Sequence, residues 1–221
     1  MLRKLTMTSM IILAAVALVF ACAAPVSHAA AYRYNHAEYD DTDEYTVKSG
    51  DTLWLISLKY QVGLQEIIAA NPQIKNPDLI YPGDKVYVPL FSTIKRIEQE
   101  VIRLVNIERA NRGLKPLAHN WELSRVARFK SMDMRDRAYF SHQSPTYGTP
   151  FEMIRNFGLS YSAAGENIAA GQRTAAAVVQ AWMNSQGHRE NILNSTYTQI
   201  GVGYASGGSM GHYWTQMFIR P

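Results

Sequence analysis

Apolar residues recur along the chain with the period of a strand in some segments and the period of a helix in others. The order of these segments indicates a small unit followed by a large unit. Residues 45–47 and 85–88 alternate between apolar and polar side chains, as strands do. Between them, residues 53–60 and 64–71 carry apolar side chains at helical spacing. The small unit is therefore predicted to fold in the order strand, helix, helix, strand.

Turn and cap residues support these boundaries. Gly50 and Asp51 precede the first helix, and Asp51 is the predicted N-cap because a carboxylate can accept hydrogen bonds from the free N–H groups of a first turn. Pro72 follows Asn71 and is expected to end the second helix, because proline lacks the N–H that a helix needs.

The large unit runs from residue 92 to residue 221. Helical spacing and cap residues predict four helices, beginning near Ile94, at Asn120, after Thr149 and after Thr174. Residues 200–204 and 213–218 instead alternate as strands, with Gly207-Gly208 between them as a hairpin turn. We therefore predict an α+β domain in which helices pack on the faces of a sheet.

The first 30 residues have the pattern of a secretory signal. Arg3 and Lys4 precede an apolar run over 10–20, and small residues follow. Cleavage is predicted after Ala29 or Ala30, and the apolar run is too short to span a bilayer comfortably. Cys22 allows an alternative, because residues 19–22 loosely resemble a lipoprotein lipobox. In that case the protein would be lipid-anchored.

Composition and charge limit the number of domains and the classes of partner that the chain can have. The chain has 221 residues and 47% apolar content, enough for a small and a medium domain. Residues 31–44 are acidic and are interpreted as a solvated spacer. Five basic side chains between Arg125 and Arg137 predict a solvated helix face, and no nucleic-acid motif or partner is indicated. With its single cysteine in the leader, the folded part has no disulfide.

Residues 45–89 resemble a LysM module over its whole length. The matching motifs occur in order as Tyr45-Thr46-Val47-Lys48-Ser49-Gly50-Asp51-Thr52-Leu53, Asn71-Pro72 and Tyr81-Pro82-Gly83-Asp84-Lys85-Val86-Tyr87-Val88-Pro89. The resemblance implies binding of N-acetylglucosamine (GlcNAc) polymers, peptidoglycan or chitin, in a groove between loops 50–53 and 76–80. The implied contact residues are Gly50, Asp51, Thr52, Leu53 and Ile80.

The candidate functional side chains of the large unit lie in polar or glycine-bearing segments, which are interpreted as loops. These segments contain His142, His188, His212 and Glu166. Imidazole and carboxylate together can perform acid/base catalysis or bind a divalent metal. The plainer alternative for His142 and Glu166 is a buried hydrogen bond that joins two loops.

The large unit is similar to bacterial CAP domains, also called SCP-like. The motifs are Phe140-Ser141-His142, Thr149-Pro150-Phe151, Gly165-Glu166-Asn167, Ala181-Trp182-Met183-Asn184-Ser185, Gly187-His188-Arg189, Ile200-Gly201-Val202-Gly203 and Tyr213-Trp214-Thr215-Gln216. The resemblance implies an α-β-α sandwich and a cleft with two histidines and two glutamates, sometimes holding zinc or calcium.

This chain departs from that family pattern at two positions. His142 and Glu166 match the first histidine and the first glutamate, but Ser185 and Tyr213 stand where the second pair is expected. His188 and the nearby His212 are the possible substitutes, so His142, Glu166 and His188 are the candidate catalytic or metal-binding residues. Trp182, Trp214 and Phe218 are predicted to be core residues, and Arg189 is predicted to cap a carbonyl or to form a salt bridge.

Three functions remain open at this stage. The first is a wall-binding protein that presents its CAP domain to a wall or spore-coat component. The second is a hydrolase of a wall polymer or a peptide, with Glu166 and His142 as acid and base. The third is capture of a lipid or small apolar ligand, which needs an apolar groove. The resemblances imply a secreted protein of the cell wall or spore envelope.

Overall fold

The computed structural model describes residues 41–221. The predicted signal sequence (1–30), which includes Cys22, and residues 31–40 of the predicted spacer lie outside these described residues. Within the described part, no helix combines the length and apolarity needed to cross a membrane.

The small unit has the predicted order of elements. They are β1 (Thr42–Thr46), α1 (Leu53–Tyr60), α2 (Leu64–Ala70) and β2 (Lys85–Pro89). The two strands pair antiparallel, with Thr42 opposite Pro89 and Thr46 opposite Lys85. Both helices cover one face of this ribbon through buried residues such as Ile56 and Ile67. The prediction of a βααβ module is confirmed.

Strand β1 begins earlier than the sequence pattern suggested. Asp43 and Glu44, assigned to the solvated spacer, both lie in β1. Asp43 accepts a 2.6 Å hydrogen bond from the Tyr60 hydroxyl, and Glu44 forms a 2.8 Å ion pair with Lys85 on the paired strand. The hydrogen bond from Tyr60 of α1 and the ion pair with Lys85 of β2 thus hold these two acids in the strand, so residues 42–44 belong to β1.

The prediction that Asp51 caps α1 was wrong, because Thr52 is the N-cap. The Thr52 side chain accepts from the Leu55 N–H at 3.1 Å. Asp51 instead accepts hydrogen bonds from the Lys48 N–H and the Tyr45 hydroxyl, both at 2.8 Å. It closes the turn before the helix, and these hydrogen bonds, the one from Lys48 foremost, lower its pKa.

The large unit contains five helices and four strands. They are α3 (Ser92–Ala110), β3 (Ala118–His119), α4 (Trp121–Asp136), α5 (Pro150–Asn156), β4 (Ala163–Ala170), α6 (Ala175–Asn184), α7 (Gln186–Leu193), β5 (Gln199–Ser206) and β6 (His212–Arg220). The sheet order is β3-β5-β6-β4, in which β3 runs parallel to β5 and the other pairs are antiparallel.

This sheet lies between two layers of helices. On one face, apolar residues of α3, α6 and α7 form a core with Trp182, Trp214 and Phe218, each at most 1% exposed. On the other face, α4 and α5 pack against the sheet around Leu123 and Met153. The α-β-α sandwich and the core positions of these aromatic residues are confirmed.

Helix α4 lies unusually close to strand β5. A Cβ added to Gly203 would lie 2.0 Å from the backbone of Ala127 and Arg128, and one added to Gly201 would lie 2.3 Å from the backbone of Leu123. Only glycine permits this approach of helix backbone to strand backbone. The approach holds α4, and the side chains it carries, against the centre of the sheet.

Three segments interpreted as loops contain residues of regular elements. Glu166 lies in strand β4, His188 lies in helix α7, and His212 is the first residue of strand β6. The helix face predicted to be solvated is also partly buried, because Arg128 is 5% exposed and Lys130 is 1% exposed. Arg128 makes a bidentate ion pair with the buried Glu98 at 2.6 and 2.9 Å. Part of the predicted solvated face is therefore used for charge pairing inside the fold.

The two units are in direct contact. Arg125 on α4 forms a bidentate ion pair with Glu66 on α2. Lys95 on α3 donates a 3.1 Å hydrogen bond to the carbonyl of Tyr60 at the end of α1. Burial is the main reason that the pKa of Lys95 falls to about 8, with the charge of Arg128 acting in the same direction.

Candidate functional site

The small unit contains a groove between its two loops. Its volume is about 270 Å³, and its lining residues are Asp51, Thr52, Leu53, Trp54, Leu64, Ile68, Pro77, Asp78 and Ile80. The groove thus combines an apolar floor with hydroxyl and carboxylate groups at its sides. That combination suits a sugar acetamide, whose methyl group needs apolar contacts and whose amide needs hydrogen bonds.

Four of the five predicted glycan-contact residues line this groove: Asp51, Thr52, Leu53 and Ile80. Gly50 does not line it. Its positive φ of 87° places it in the left-handed region, where glycine is favoured, and it shapes the turn that leads to the groove. Trp54, which lines the groove, was not among the predicted contacts.

The large unit contains a wider cleft of about 1020 Å³. Its polar lining includes His142, Glu166, Ser185, His188 and Asn191. Its apolar lining includes Phe140, Pro150, Phe151, Ile168 and Trp182. The cleft therefore presents titratable groups beside hydrophobic walls, which is the general character of a ligand site.

His142 and Glu166 are in direct contact within this cleft. Nδ1 of His142 lies 2.6 Å from Oε1 of Glu166 in a hydrogen bond, and the ring is half-exposed whereas the carboxylate is buried. Burial raises the pKa of Glu166, although His142 and Lys130 oppose that rise. Oε2 of Glu166 has no hydrogen-bond partner among the described residues. A buried acceptor without a partner is suited to a ligand or water.

A buried polar network supports the segment that carries His142. Lys130 donates to the His142 carbonyl at 2.9 Å and to the Tyr139 hydroxyl at 3.1 Å. Asp133, fully buried, accepts hydrogen bonds from Tyr139, Ser144 and Thr146 at 2.6–2.7 Å. The network fixes residues 139–147 to α4, and it therefore holds the backbone of His142 in place.

The other positions compared with the family pattern, together with the two suggested substitutes, divide into two groups. His188 and Ser185 line the cleft. Burial lowers the pKa of His188, and the nearby His142 contributes to the same effect. Tyr213 is buried in the core, and His212 bonds through Nδ1 to the Tyr204 hydroxyl at 2.8 Å. Neither residue lines the cleft, so of the two suggested substitutes only His188 is in place.

The donor set does not match a metal centre. Zinc sites in proteins use at least three protein ligands, and calcium takes six to eight oxygen ligands. Within residues 41–221, no group of three or more His, Cys, Asp or Glu side chains is arranged to hold a metal ion. His142 and Glu166 form a pair that His188 does not extend into such a group.

Arg189 has the role that the sequence suggested. Its guanidinium donates a 2.8 Å hydrogen bond to the carbonyl of Met183 near the end of α6. This bond links α6 to α7 and thereby helps to place His188 on the following helix.

A second cavity of about 390 Å³ lies between α3 and α6. Its apolar lining is Ile97, Ala175, Tyr204 and Trp214, and its charged lining is Arg96, Glu100 and Arg173. Apolar and charged side chains thus line this cavity together.

Comparison with known families identifies both units. The model of the cysteine-rich secretory protein family, CAP, matches residues 102–218, and that of the LysM domain matches residues 45–89. The chain belongs to the CAP family. Its LysM domain supports binding to GlcNAc-containing polymers.

Similar proteins occur in Bacillus species. The uncharacterized protein YkwD of Bacillus subtilis is 57% identical over 128 residues, which cover 58% of this chain and 49% of that protein. The chain thus spans about half the length of this relative. The structure of an extracellular protein with an SCP domain from Bacillus anthracis has 38% identity and a TM-score of 0.53, covering 63% of this chain and 47% of that one.

The LysM domain has relatives of its own. The spore coat assembly protein ExsA of Bacillus cereus is 49% identical over 45 residues, which cover 20% of this chain and 7% of that protein.

Proposed function

We propose that this protein attaches to a GlcNAc-containing wall polymer, peptidoglycan or a related glycan, through its LysM groove and presents its CAP domain there. The observation that carries the proposal is the groove itself. Leu53 and Ile80 supply apolar contacts for an acetamide methyl group, and Thr52 and Asp51 lie beside them. Four of the five contact residues expected from the sequence line this groove, which supports the proposal.

Sedimentation with peptidoglycan sacculi tests this proposal. The purified protein is expected to pellet with sacculi, and Ile80→Asp is expected to stay in the supernatant because it places a charge in the groove. Leu79→Asp is the matched control, since Leu79 is 51% exposed and does not line the groove. Failure of the unmodified protein to pellet, or equal loss in both variants, would contradict the proposal.

The proposed location is the cell wall or spore envelope. The support is the LysM domain, its similarity to a spore coat assembly protein, and the signal-like sequence over residues 1–30. Spore-coat or wall proteins are the proposed partners of the CAP domain. Fractionation of cells and spores, with mass spectrometry of the mature N-terminus, distinguishes a cleaved secreted form from a form lipidated at Cys22.

Hydrolysis of a wall polymer or peptide is the second candidate function. It is favoured by the 2.6 Å contact between His142 and Glu166 and by the raised pKa of that buried carboxyl group. A protonated Glu166 can serve as general acid by donating its proton to the leaving group, while His142 serves as general base by accepting a proton from the attacking water. This function predicts that sacculi release sugar or peptide fragments, and that Glu166→Gln stops the release without changing sedimentation.

Binding of a small apolar ligand is supported by the cavity between α3 and α6. Thermal unfolding in the presence of fatty acids or aromatic probes tests it, with Ala175→Trp as a variant that fills the cavity. A shift in the unfolding temperature of the unmodified protein that the variant loses is the expected result.

A further inference from the structure

The two carboxyl oxygens of Glu166 in the CAP cleft differ in their surroundings. Oε1 is paired with Nδ1 of His142, whereas Oε2 has no hydrogen-bond partner among the described residues. The residue is 7% exposed, and its side chain lines the cleft. Leaving a buried acceptor unpaired costs free energy, so a ligand that donates a hydrogen bond to Oε2 gains the energy that the protein alone does not recover.

The charge of the cleft lining indicates which donor suits this oxygen. Among the described residues that line the cleft, none is a lysine or an arginine, and Glu166 is the sole carboxyl group. Lys130 is buried and acts on Glu166 through its charge, but it donates its hydrogen bonds to the His142 carbonyl and the Tyr139 hydroxyl. Burial lowers the pKa of His188, which favours its neutral form. Apart from His142, the lining therefore offers no cation to the Glu166 carboxylate.

Two aromatic side chains of the same cleft are open to solvent. Phe140 is 45% exposed and Phe151 is 42% exposed. A ligand that covers these rings and also donates to Glu166 must be apolar along its length and polar at its end. An aliphatic chain that ends in a primary ammonium group, as in a lysine side chain, has this form. The faces of aromatic rings also attract such a cation.

We propose that the CAP cleft binds a lysine-like amino group of a peptide, which donates to Oε2 of Glu166 while its aliphatic chain packs against Phe140 and Phe151. His142 then donates to Oε1 in its neutral form, so the carboxylate is neutralised by the ligand. This inference rests on the proposed presentation of the CAP domain at the wall. It adds the chemical feature by which the domain selects its partner.

NMR titration of the purified protein with Nα-acetyl-lysine methylamide tests the proposal, with the imidazole resonances of His142 and His188 as reporters. The Nε-acetylated form of the same compound is the matched ligand, because acetylation removes the charge and keeps the chain. The lysine form is expected to give saturable shifts, and the acetylated form is expected to bind at least about tenfold more weakly. Pentylammonium, which has the chain and the amino group without a peptide backbone, measures how much the backbone adds.

Three variants locate the contact. Glu166→Gln keeps the size of the side chain and removes its charge, and it is expected to lose at least about tenfold in affinity for the lysine form. Phe140→Ala is expected to lose about two- to fivefold, the range of an exposed contact between a cation and an aromatic ring. Glu190→Gln is the control, since Glu190 is an exposed acid of α7 that does not line the cleft, and its affinity should not change. Circular dichroism confirms that each variant is folded.

The affinity should also depend on pH. Burial raises the pKa of Glu166, against the effects of His142 and Lys130, and His188 is the other histidine of the cleft. The ammonium group pairs with the ionised carboxylate, so the affinity is expected to rise as pH increases through that pKa, and Glu166→Gln should not show this rise.

Absence of saturable shifts, equal binding of the two acetyl-lysine compounds, or undiminished affinity in Glu166→Gln would overturn the proposal. None of these outcomes affects sedimentation with sacculi, which depends on the LysM groove. Failure of the protein to pellet would instead refute the proposed attachment to the wall and would leave the amine titration unaffected.

Discussion

The guanidinium of Arg125 in the CAP domain donates two hydrogen bonds to the carboxylate of Glu66 in the LysM domain. Glu66 is 1% exposed, and Arg125 lies over the rings of Phe129 and Phe157 at 5.0 and 5.3 Å. Gly63, before α2, leaves room for the pair, because a Cβ there would lie 1.9 Å from Glu66. A specific, largely buried contact thus joins the two domains.

We expect Arg125→Ala to destabilise the protein by about 3 kcal/mol, because it leaves the buried carboxylate of Glu66 without its partner. Urea denaturation followed by circular dichroism measures the free energy of unfolding. The control is Arg103→Ala, whose exposed pair with Glu100 on α3 is worth less than about 1 kcal/mol. Similar losses in the two variants would show that the interdomain pair contributes little.

A second prediction follows from the close contact between the backbones of α4 and β5. Gly203→Ala is expected to cost about 3 kcal/mol or more, because its Cβ would overlap backbone atoms that cannot move independently. Gly187→Ala is the control, since nothing lies within 4 Å of its Cβ and it sits in helix α7. That change is expected to stabilise by up to about 1 kcal/mol. Comparable unfolding midpoints for both variants would disprove the close approach.

Four of the five helices of the CAP domain were predictable because their signals are local, whereas α7 was missed. The Thr149-Pro150-Phe151-Glu152 segment forms the capping box that its residues indicated, and Asn120 and Thr174 cap their helices. Strand β4 was missed because its alanines and glycine have little strand preference. Its eight residues are extended because they pair with β6, from Ala163 opposite Arg220 to Ala170 opposite Tyr213. No pattern within residues 163–170 indicates that β6 is their pairing partner.

The candidate site could be predicted only in part for the same reason. Family motifs indicated His142 and Glu166, but 24 residues separate them and only the fold shows their 2.6 Å contact. Lys130 was read as part of a solvated face, since a basic residue in a helix gives no sign that it lies behind a cleft. The exposure of Trp54 likewise depends on where α1 begins and which face it buries.

The buried carboxylate of Asp133 makes a prediction about the segment that carries His142. Asp133→Ala leaves the hydroxyl groups of Tyr139, Ser144 and Thr146 without their acceptor, at an expected total cost of about 3 kcal/mol. Hydrogen exchange of residues 139–147 should accelerate. Asp136→Ala, on the same helix but exposed, should cost less than about 1 kcal/mol and leave that exchange unchanged. Unaltered protection in Asp133→Ala would refute the network as the support of His142.

The pH dependence of stability should report the burial of Glu166. Its folded-state pKa is raised, chiefly by burial and against the effects of His142 and Lys130, so the folded protein holds a proton that the unfolded chain has released. Stability therefore falls as pH rises from the unfolded pKa of Glu166 through its folded pKa, and the penalty is fully present above that window. Glu166→Gln keeps the size and an acceptor oxygen but cannot ionise, so relative to the unmodified protein it should gain stability as pH increases. Denaturation midpoints of both proteins from pH 4 to pH 8 check this, and their difference removes contributions shared by both, such as that of Glu98. A difference that stays constant with pH would mean that Glu166 is charged at no cost, and the general-acid role proposed for it would lose its physical basis.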